Sequence, residues 1–98
     1  MAAKDRKKHS MELYKAILTL KDEDECFRFF KDVCSESELF AMEQRYNVAR
    51  MLDEGHTYLD IQDETNASTA TISRVGRALS EGTGAIGEVI KRAGQEES

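Results

Sequence analysis

Residues 69–77 read Thr-Ala-Thr-Ile-Ser-Arg-Val-Gly-Arg, short hydroxyl and methyl side chains leading to two guanidinium groups, with no acid among them. On a helix that turns Ile72, Val75 and Leu79 inward, the other face presents Thr69, Ala70, Thr71, Ser73, Arg74 and Arg77. Small side chains at a helix N-terminus let the backbone come close to base edges. Thr and Ser hydroxyls donate and accept there, and an Ala or Thr methyl can lie against a thymine methyl. Helix N-termini and capping hydroxyls at Thr57 and Ser68 suit phosphate oxygens. This is chemistry for reading double-stranded DNA, and no carboxylate interrupts it before Glu81. A face kept only for solubility would normally mix both signs. A structural helical hairpin or a protein-binding face is the competing interpretation of the same residues.

No comparable set points to catalysis or to a metal. His9 and His56 stand apart, and neither has a Cys or Ser neighbour arranged as nucleophile and base; His56, beside Gly55, reads as exposed near a helix end. Cys26 and Cys34 fall eight residues apart in one expected helix, about 12 Å by its rise, too far for a disulfide between them. They read as buried, reduced thiols. The acidic runs Asp22 to Glu25 and Asp53-Glu54 lack the alternating oxygen spacing of a calcium loop and read as solvated helix ends. Gly82, Gly84 and Gly87 spell G-x-G-x-x-G, but a dinucleotide site needs a preceding strand and an acid about 20 residues later. Only eleven residues come after Gly87, so the glycines read as a flexible interhelix loop, with Thr83 available to cap the last helix. Phe27, Phe29 and Phe30 suit a core and dimer seam better than a platform for stacking single strands. The expectation is no enzyme, no cofactor and no metal.

The elements that must position the DNA-reading face are helical. Leu13, Ile17 and Leu20 recur at i, i+4, i+7 behind a possible cap at Ser10. Asp22 or Asp24 can start a second helix with Cys26, Phe27, Phe30, Val33 and Cys34 on its apolar face. Ser35 with Glu38 is a capping box opening a third, whose stripe of Leu39, Met42, Tyr46, Ala49 and Leu52 is widened by Ala41, Val48 and Met51. Gly55 stops it. So broad a face suggests burial from more than one side, and hence a dimer. Thr57 with Asp60 forms a second capping box for a short helix holding Tyr58, Leu59 and Ile61. Asn66 tolerates the left-handed conformation of a tight turn, and Ser68 or Thr69 caps the next helix. Residues 57–79 are thus a helix-turn-helix. Ile86, Val89, Ile90 and Ala93 form a last amphipathic stretch, weakened by Gly84 and Gly87, with a frayed tail from Gly94 to Ser98.

The 98 residues allow one domain, with no proline and 40% hydrophobic content. A globule this small buries only about 60–65% of its unfolded surface, so its core is thin. No apolar run approaches the roughly 20 residues of a membrane span, and no apolar segment follows Lys4 to Lys8 as in a signal peptide. The expectation is a soluble, cytoplasmic chain with no membrane partner. Net charge is −5, yet residues 1–21 hold six Lys/Arg against two acids and residues 22–64 four against thirteen. Acidity therefore concentrates in the middle. Lys4, Arg6, Lys7, Lys8 and His9 make a basic arm over residues 1–9, either a solubilising tail or one that tracks DNA phosphates.

At Thr57-Tyr58-Leu59-Asp60-Ile61 and at Ala67 to Val75 the chain resembles the Trp repressor superfamily. The run from Leu18-Thr19-Leu20-Lys21 through Arg28-Phe29-Phe30 and Asp32-Val33-Cys34 to Gly82 is similar to a little-characterised, Trp-repressor-related bacterial branch. Gln44-Arg45 and Ala49-Arg50-Met51-Leu52 add to that likeness, which covers about two thirds of the chain. It implies an all-α, six-helix protomer intertwined with a second copy in a homodimer. It also implies a tryptophan pocket between two arginines, which correspond to Arg45 and Arg74. The glycine that leaves room for the ligand is replaced by Val75, whose branched side chain would fill the space. The serine that contacts the ligand's amino group is replaced by Ala78, whose methyl accepts no hydrogen bond. These departures argue against tryptophan as corepressor. They leave Arg45 and Arg74 to a salt bridge with the acidic middle or to a phosphate contact.

The resulting expectation is a single helical domain over residues 10–93, acting as a sequence-specific DNA-binding regulator and repressor. Thr69, Ala70, Thr71, Ser73 and Arg77 would read bases in the major groove, while Thr57, Tyr58, Gln62, Ser68 and Arg74 would hold phosphates. The rival is a helical protein-interaction module that has kept the scaffold and binds through its acidic middle.

Overall fold

The described residues, 8–97, form six helices in a computed structural model of the chain. They are α1 (Glu12–Ile17), α2 (Glu23–Val33), α3 (Glu36–Asp53), α4 (Tyr58–Thr65), α5 (Thr69–Glu81) and α6 (Ala85–Glu97). No strand occurs among the described residues. The fold is all-α.

Local chemistry accounts for most boundaries. Asp22 caps α2 by accepting from the Glu25 N–H at 2.8 Å. The Ser35–Glu38 box closes in both directions: Glu38 Oε1 accepts from the Ser35 N–H at 2.7 Å, and Ser35 Oγ accepts from the Glu38 N–H at 3.2 Å. Gly55, at φ +89°, ends α3 in a Schellman arrangement. Its N–H reaches the Leu52 carbonyl at 3.1 Å, and the His56 N–H reaches Met51 at 3.0 Å. The bonds from the Ser35 backbone and hydroxyl hold the Glu38 carboxyl below the usual glutamate range. A depressed folded value means that the box contributes fully above the unfolded glutamate pKa and loses that contribution as pH falls through the folded one. Glu38→Gln should therefore flatten part of the acid limb when urea midpoints are plotted against pH. A limb identical to the parent's would show that Glu38 is not coupled to folding.

Five boundaries differ from the sequence expectation. Helix α1 stops at Ile17, leaving Leu20 outside it, and Met11 rather than Ser10 holds the cap position. The Ser10 hydroxyl still accepts from the Glu12 N–H, at 3.3 Å. Cys34 ends α2 in an extended conformation because the Ser35 box must begin α3 at once, and both thiols are free and half-buried rather than buried. Gly87 lies inside α6, so only Gly82 and Gly84 belong to the connector, where Thr83 Oγ1 accepts from the Ala85 N–H at 3.3 Å. The tail expected from Gly94 is helical as far as Glu97. One glycine costs a helix only about 1 kcal/mol relative to alanine, and the Gln and Glu after it are good helix formers.

The chain divides into two units, Met1–Leu39 and Phe40–Ser98, with the boundary inside α3. The second unit has a continuous core of Val48, Ala49, Met51, Ile61, Ala67, Ile72, Val75 and Ile90, with Leu52 and Ile86 packed against it. The buried part of the α3 stripe is confined to its C-terminal half, and Met42 and Tyr46 stay exposed. In the first unit neither α1 nor α2 has a buried residue; Leu13, Tyr14, Leu18, Phe27 and Val33 are all exposed. Phe29 and Phe30 meet edge to face at 5.3 Å. Among the described residues no helix is long and apolar enough to cross a membrane.

Candidate nucleic-acid interface

The turn between α4 and α5 is built atom by atom. Thr57 caps α4, its Oγ1 accepting from the Asp60 N–H at 3.2 Å. Asn66 closes the helix at φ 59°, the left-handed region that asparagine tolerates better than most residues. Thr65 Oγ1 donates to the Ile61 carbonyl at 2.7 Å and accepts from the Ala67 N–H at 3.2 Å. Gln44 of α3 donates from Nε2 to the Thr65 carbonyl at 3.0 Å, tying the turn to the scaffold helix. Ile61 and Ile72, both 0% exposed, and Ala67 hold α4 and α5 against the core. Ser68 then caps α5, accepting from the Thr71 N–H at 3.1 Å and donating to Thr71 Oγ1 at 3.1 Å.

With Ile72 and Val75 buried, α5 turns its opposite side to solvent. Thr69, Ser73 and Arg77 recur at i, i+4, i+8 and share one ridge, flanked by Ala70 and Arg74; all five are exposed. Thr71 is half-buried, at the edge of this face. Of the residues expected on phosphates, Thr57, Tyr58, Ser68 and Arg74 are exposed and Gln62 is half-buried. The hydroxyls differ in proton supply. The Ser68 proton is spent on Thr71, whereas Thr71 retains its own as a free donor. Thr57 also keeps its proton, because its cap bond uses it only as an acceptor. Neither Arg74 nor Arg77 has a carboxylate partner among the described residues. Helix α5 therefore offers uncompensated positive charge, and its N-terminus carries the positive end of the helix dipole.

A second feature lies behind that face. Arg45 of α3 and Arg74 of α5 line one cavity of about 430 Å³, together with Met42, Tyr46, Ala49, Val75, Ala78 and Ile86. Of the two alternatives for these arginines the salt bridge does not form: Arg45, like Arg74, has no carboxylate partner among the described residues. The Val75 side chain is nearly buried and forms part of the cavity wall without abolishing the cavity. Among the described residues no cluster of three or more His, Cys, Asp or Glu is placed to hold a metal ion.

The family profile described as Trp repressor protein matches residues 8–94. This chain belongs to the Trp repressor family. The family is one of DNA-binding regulators and not of enzymes. The chain is 48% identical over 93 residues to the uncharacterised protein YerC of Bacillus subtilis strain 168, covering 95% of this chain and 89% of that one. It is also similar to a solved TrpR-like protein from Eubacterium eligens ATCC 27750, at 52% identity and TM-score 0.81, over 85% of this chain and 86% of that one. A solved Staphylococcus aureus protein described as a candidate Trp repressor shares 41% identity at TM-score 0.86, covering 95% of this chain and 96% of that one.

In this Trp repressor family member, one positioning contact escapes a reading of local pattern. Gln44 and Thr65 hold the turn through a bond spanning 21 residues, and neither belongs to a cap or to an apolar stripe. Gly76 on α5 is not required by packing, since a Cβ placed there would lie 3.7 Å from Leu52 Cδ1, an ordinary contact. Of the basic arm, Lys8 and His9 are exposed and residues 1–7 lie outside the described residues. His56, exposed as expected, places Nε2 3.4 Å from Glu54 Oε1, beside the Arg50–Glu54 pair at 3.0 Å.

Proposed function

We propose that this Trp repressor family member is a sequence-specific transcriptional repressor that reads the major groove as an intertwined homodimer. The observation that carries this reading is the acid-free, exposed ridge of α5 standing on a fully capped helix-turn-helix. Thr69, Ala70, Thr71, Ser73 and Arg77 meet base edges. Thr57, Tyr58, Gln62, Ser68 and Arg74 meet phosphates, and Ser68 does so through its backbone because its hydroxyl proton is committed. The dimer reading is supported by α1 and α2, which have no fully buried residue and leave Leu13, Tyr14, Phe27 and Val33 exposed within one copy. Two such helices without a core are not stable alone, since most helical stability in proteins comes from tertiary packing. In helix-turn-helix dimers generally, the two recognition helices meet half-sites about one helical turn, roughly 34–36 Å, apart.

The test is retardation of genomic fragments by the purified protein, without added ligand, in excess competitor DNA. Specific fragments should be retarded, with log affinity falling linearly against log salt. Absence of any retardation at low salt would reject DNA binding. It would instead favour a protein-interaction role, for which the exposed Leu59 among Asp60, Asp63 and Glu64 on α4 is the supporting observation.

A further inference from the structure

We propose that Gln44 of α3 is a positioning residue for sequence reading: acting through the Thr65 carbonyl, it fixes the orientation of α5, and its loss costs discrimination between DNA sequences rather than general affinity for DNA. The proposal rests on the DNA-binding reading above. Thr65 is the last residue of α4, so its carbonyl has no partner within that helix. Gln44 Nε2 supplies one from α3 at 3.0 Å, and both residues are half-buried. Thr65 also closes the turn, its Oγ1 donating to the Ile61 carbonyl at 2.7 Å and accepting from the Ala67 N–H at 3.2 Å. Asn66 follows in the left-handed region, and the Ser68 cap of α5 comes three residues after Thr65. Gln44 therefore grips the turn at the point from which α5 departs. Elsewhere α3 shares an apolar core with these elements, through Val48, Ala49 and Met51 on its side and Ile61, Ala67, Ile72 and Val75 on theirs. Apolar contact is non-directional, so it holds elements together without fixing their rotation. A hydrogen bond weakens steeply with distance and angle, and so supplies the missing constraint.

The side chains on the ridge decide which property suffers. Pivoting at Ser68, a tilt of about 10° carries Ser73 about 1 Å and Arg77 about 2 Å, at a rise of about 1.5 Å per residue. Thr69, Ala70 and Ser73 are too short to follow, and a hydrogen bond to a base edge stretched by about 1 Å is no longer one. Arg74 and Arg77 have long stems and keep their charge beside the phosphates through the same tilt. Affinity from counterion release depends on that charge and not on the angle of the helix. Stability suffers little, because water can replace the lost donor at a half-buried carbonyl.

The test separates discrimination from stability. The probes are the genomic fragment that the parent retards most tightly and a shuffled fragment of the same length and composition. Fluorescence anisotropy gives the ratio of the two affinities for the parent and three variants. Gln44→Met keeps the length of the side chain and removes the donor. It should lower the ratio roughly tenfold, the scale of one mismatched base pair, with affinity for the shuffled fragment and its salt slope unchanged. Gln44→Lys restores a donor and should recover part of the ratio, which is the measure to use because the added charge raises both affinities. Ile61→Val trims the core at a residue that is 0% exposed and leaves the Gln44 bond in place. It should lower the urea midpoint and keep the parent's ratio. In the free protein, the Asn66 and Ala67 N–H groups should exchange hydrogen faster in Gln44→Met than in the parent, while that of Ile72 does not change. A ratio unchanged in Gln44→Met, lowered as far in Ile61→Val, or not raised again by Gln44→Lys would overturn the proposal and leave the DNA-binding reading standing. Unchanged exchange at Asn66 and Ala67 would overturn it as well. A parent that retards no fragment would reject the DNA-binding reading first, and this proposal with it.

Discussion

Arg77→Glu should weaken binding to every DNA sequence. Arg77 ends the exposed ridge of α5, has no ion-pair partner among the described residues, and meets no acid on its helix before Glu81. An arginine contact to DNA is worth about 1–3 kcal/mol, so two copies in the proposed dimer would lose about 2–6 kcal/mol, roughly thirtyfold to more than ten-thousandfold in affinity. Reversal adds repulsion from neighbouring phosphates, so the lower end is a conservative expectation. Measured by fluorescence anisotropy over a salt series, the variant should also show a shallower slope of log affinity against log salt. Folding should not change, because the side chain is exposed and outside the core. A variant that keeps its affinity and slope would show that α5 does not face the nucleic acid.

The second large effect concerns stability. Ile72 is 0% exposed and packs in the core that holds α4 and α5 together. Ile72→Ala should cost about 2–5 kcal/mol, from the lost transfer energy and the cavity left behind. Small domains have only about 5–15 kcal/mol to lose, so the variant should be partly unfolded at ambient temperature. Ile72→Val, which removes one methylene, should cost only about 0.5–1.5 kcal/mol and retain DNA binding. Urea denaturation at fixed protein concentration separates the two, since the stability of the proposed dimer would depend on protomer concentration. A shift below about 1 kcal/mol for Ile72→Ala would mean that the site collapses freely and that this core does not hold the reading helix in place.

Both effects depend on the same geometry, and different parts of it are legible at different levels. The caps at Asp22, Ser35, Thr57 and Ser68 are readable because each bond runs from a side chain to the N–H three residues on. The turn at Asn66 is readable for the same reason, being a property of one residue's φ. The bond from Gln44 to the Thr65 carbonyl is not. It joins residues 21 apart, and nothing in the type or neighbours of Gln44 announces it. Cys34 falls outside its expected helix because α2 ends where the next capping box starts, a competition that an apolar stripe does not register. The exposure of α1 and α2 does not follow from their apolar residues either, because hydrophobic periodicity says which face wants burial and not whether one copy can supply it.

Arg45 and Arg74 mark the boundary between the two kinds of information. Their pairing is visible in the sequence only through likeness to the Trp repressor family, and the acidic middle of the chain offers them a plausible salt bridge. In the structure they line one cavity, and neither has a carboxylate partner among the described residues. The all-α class, the capped helix-turn-helix and the acid-free face of α5 are legible in the chain, because each follows from bonds and periodicities within a few residues. Three-dimensional packing sets which apolar faces a single copy can bury, what holds the turn to α3, and whether the two arginines are neutralised. Those answers depend on residues far apart in the chain meeting in space, and short-range pattern carries no record of the meeting.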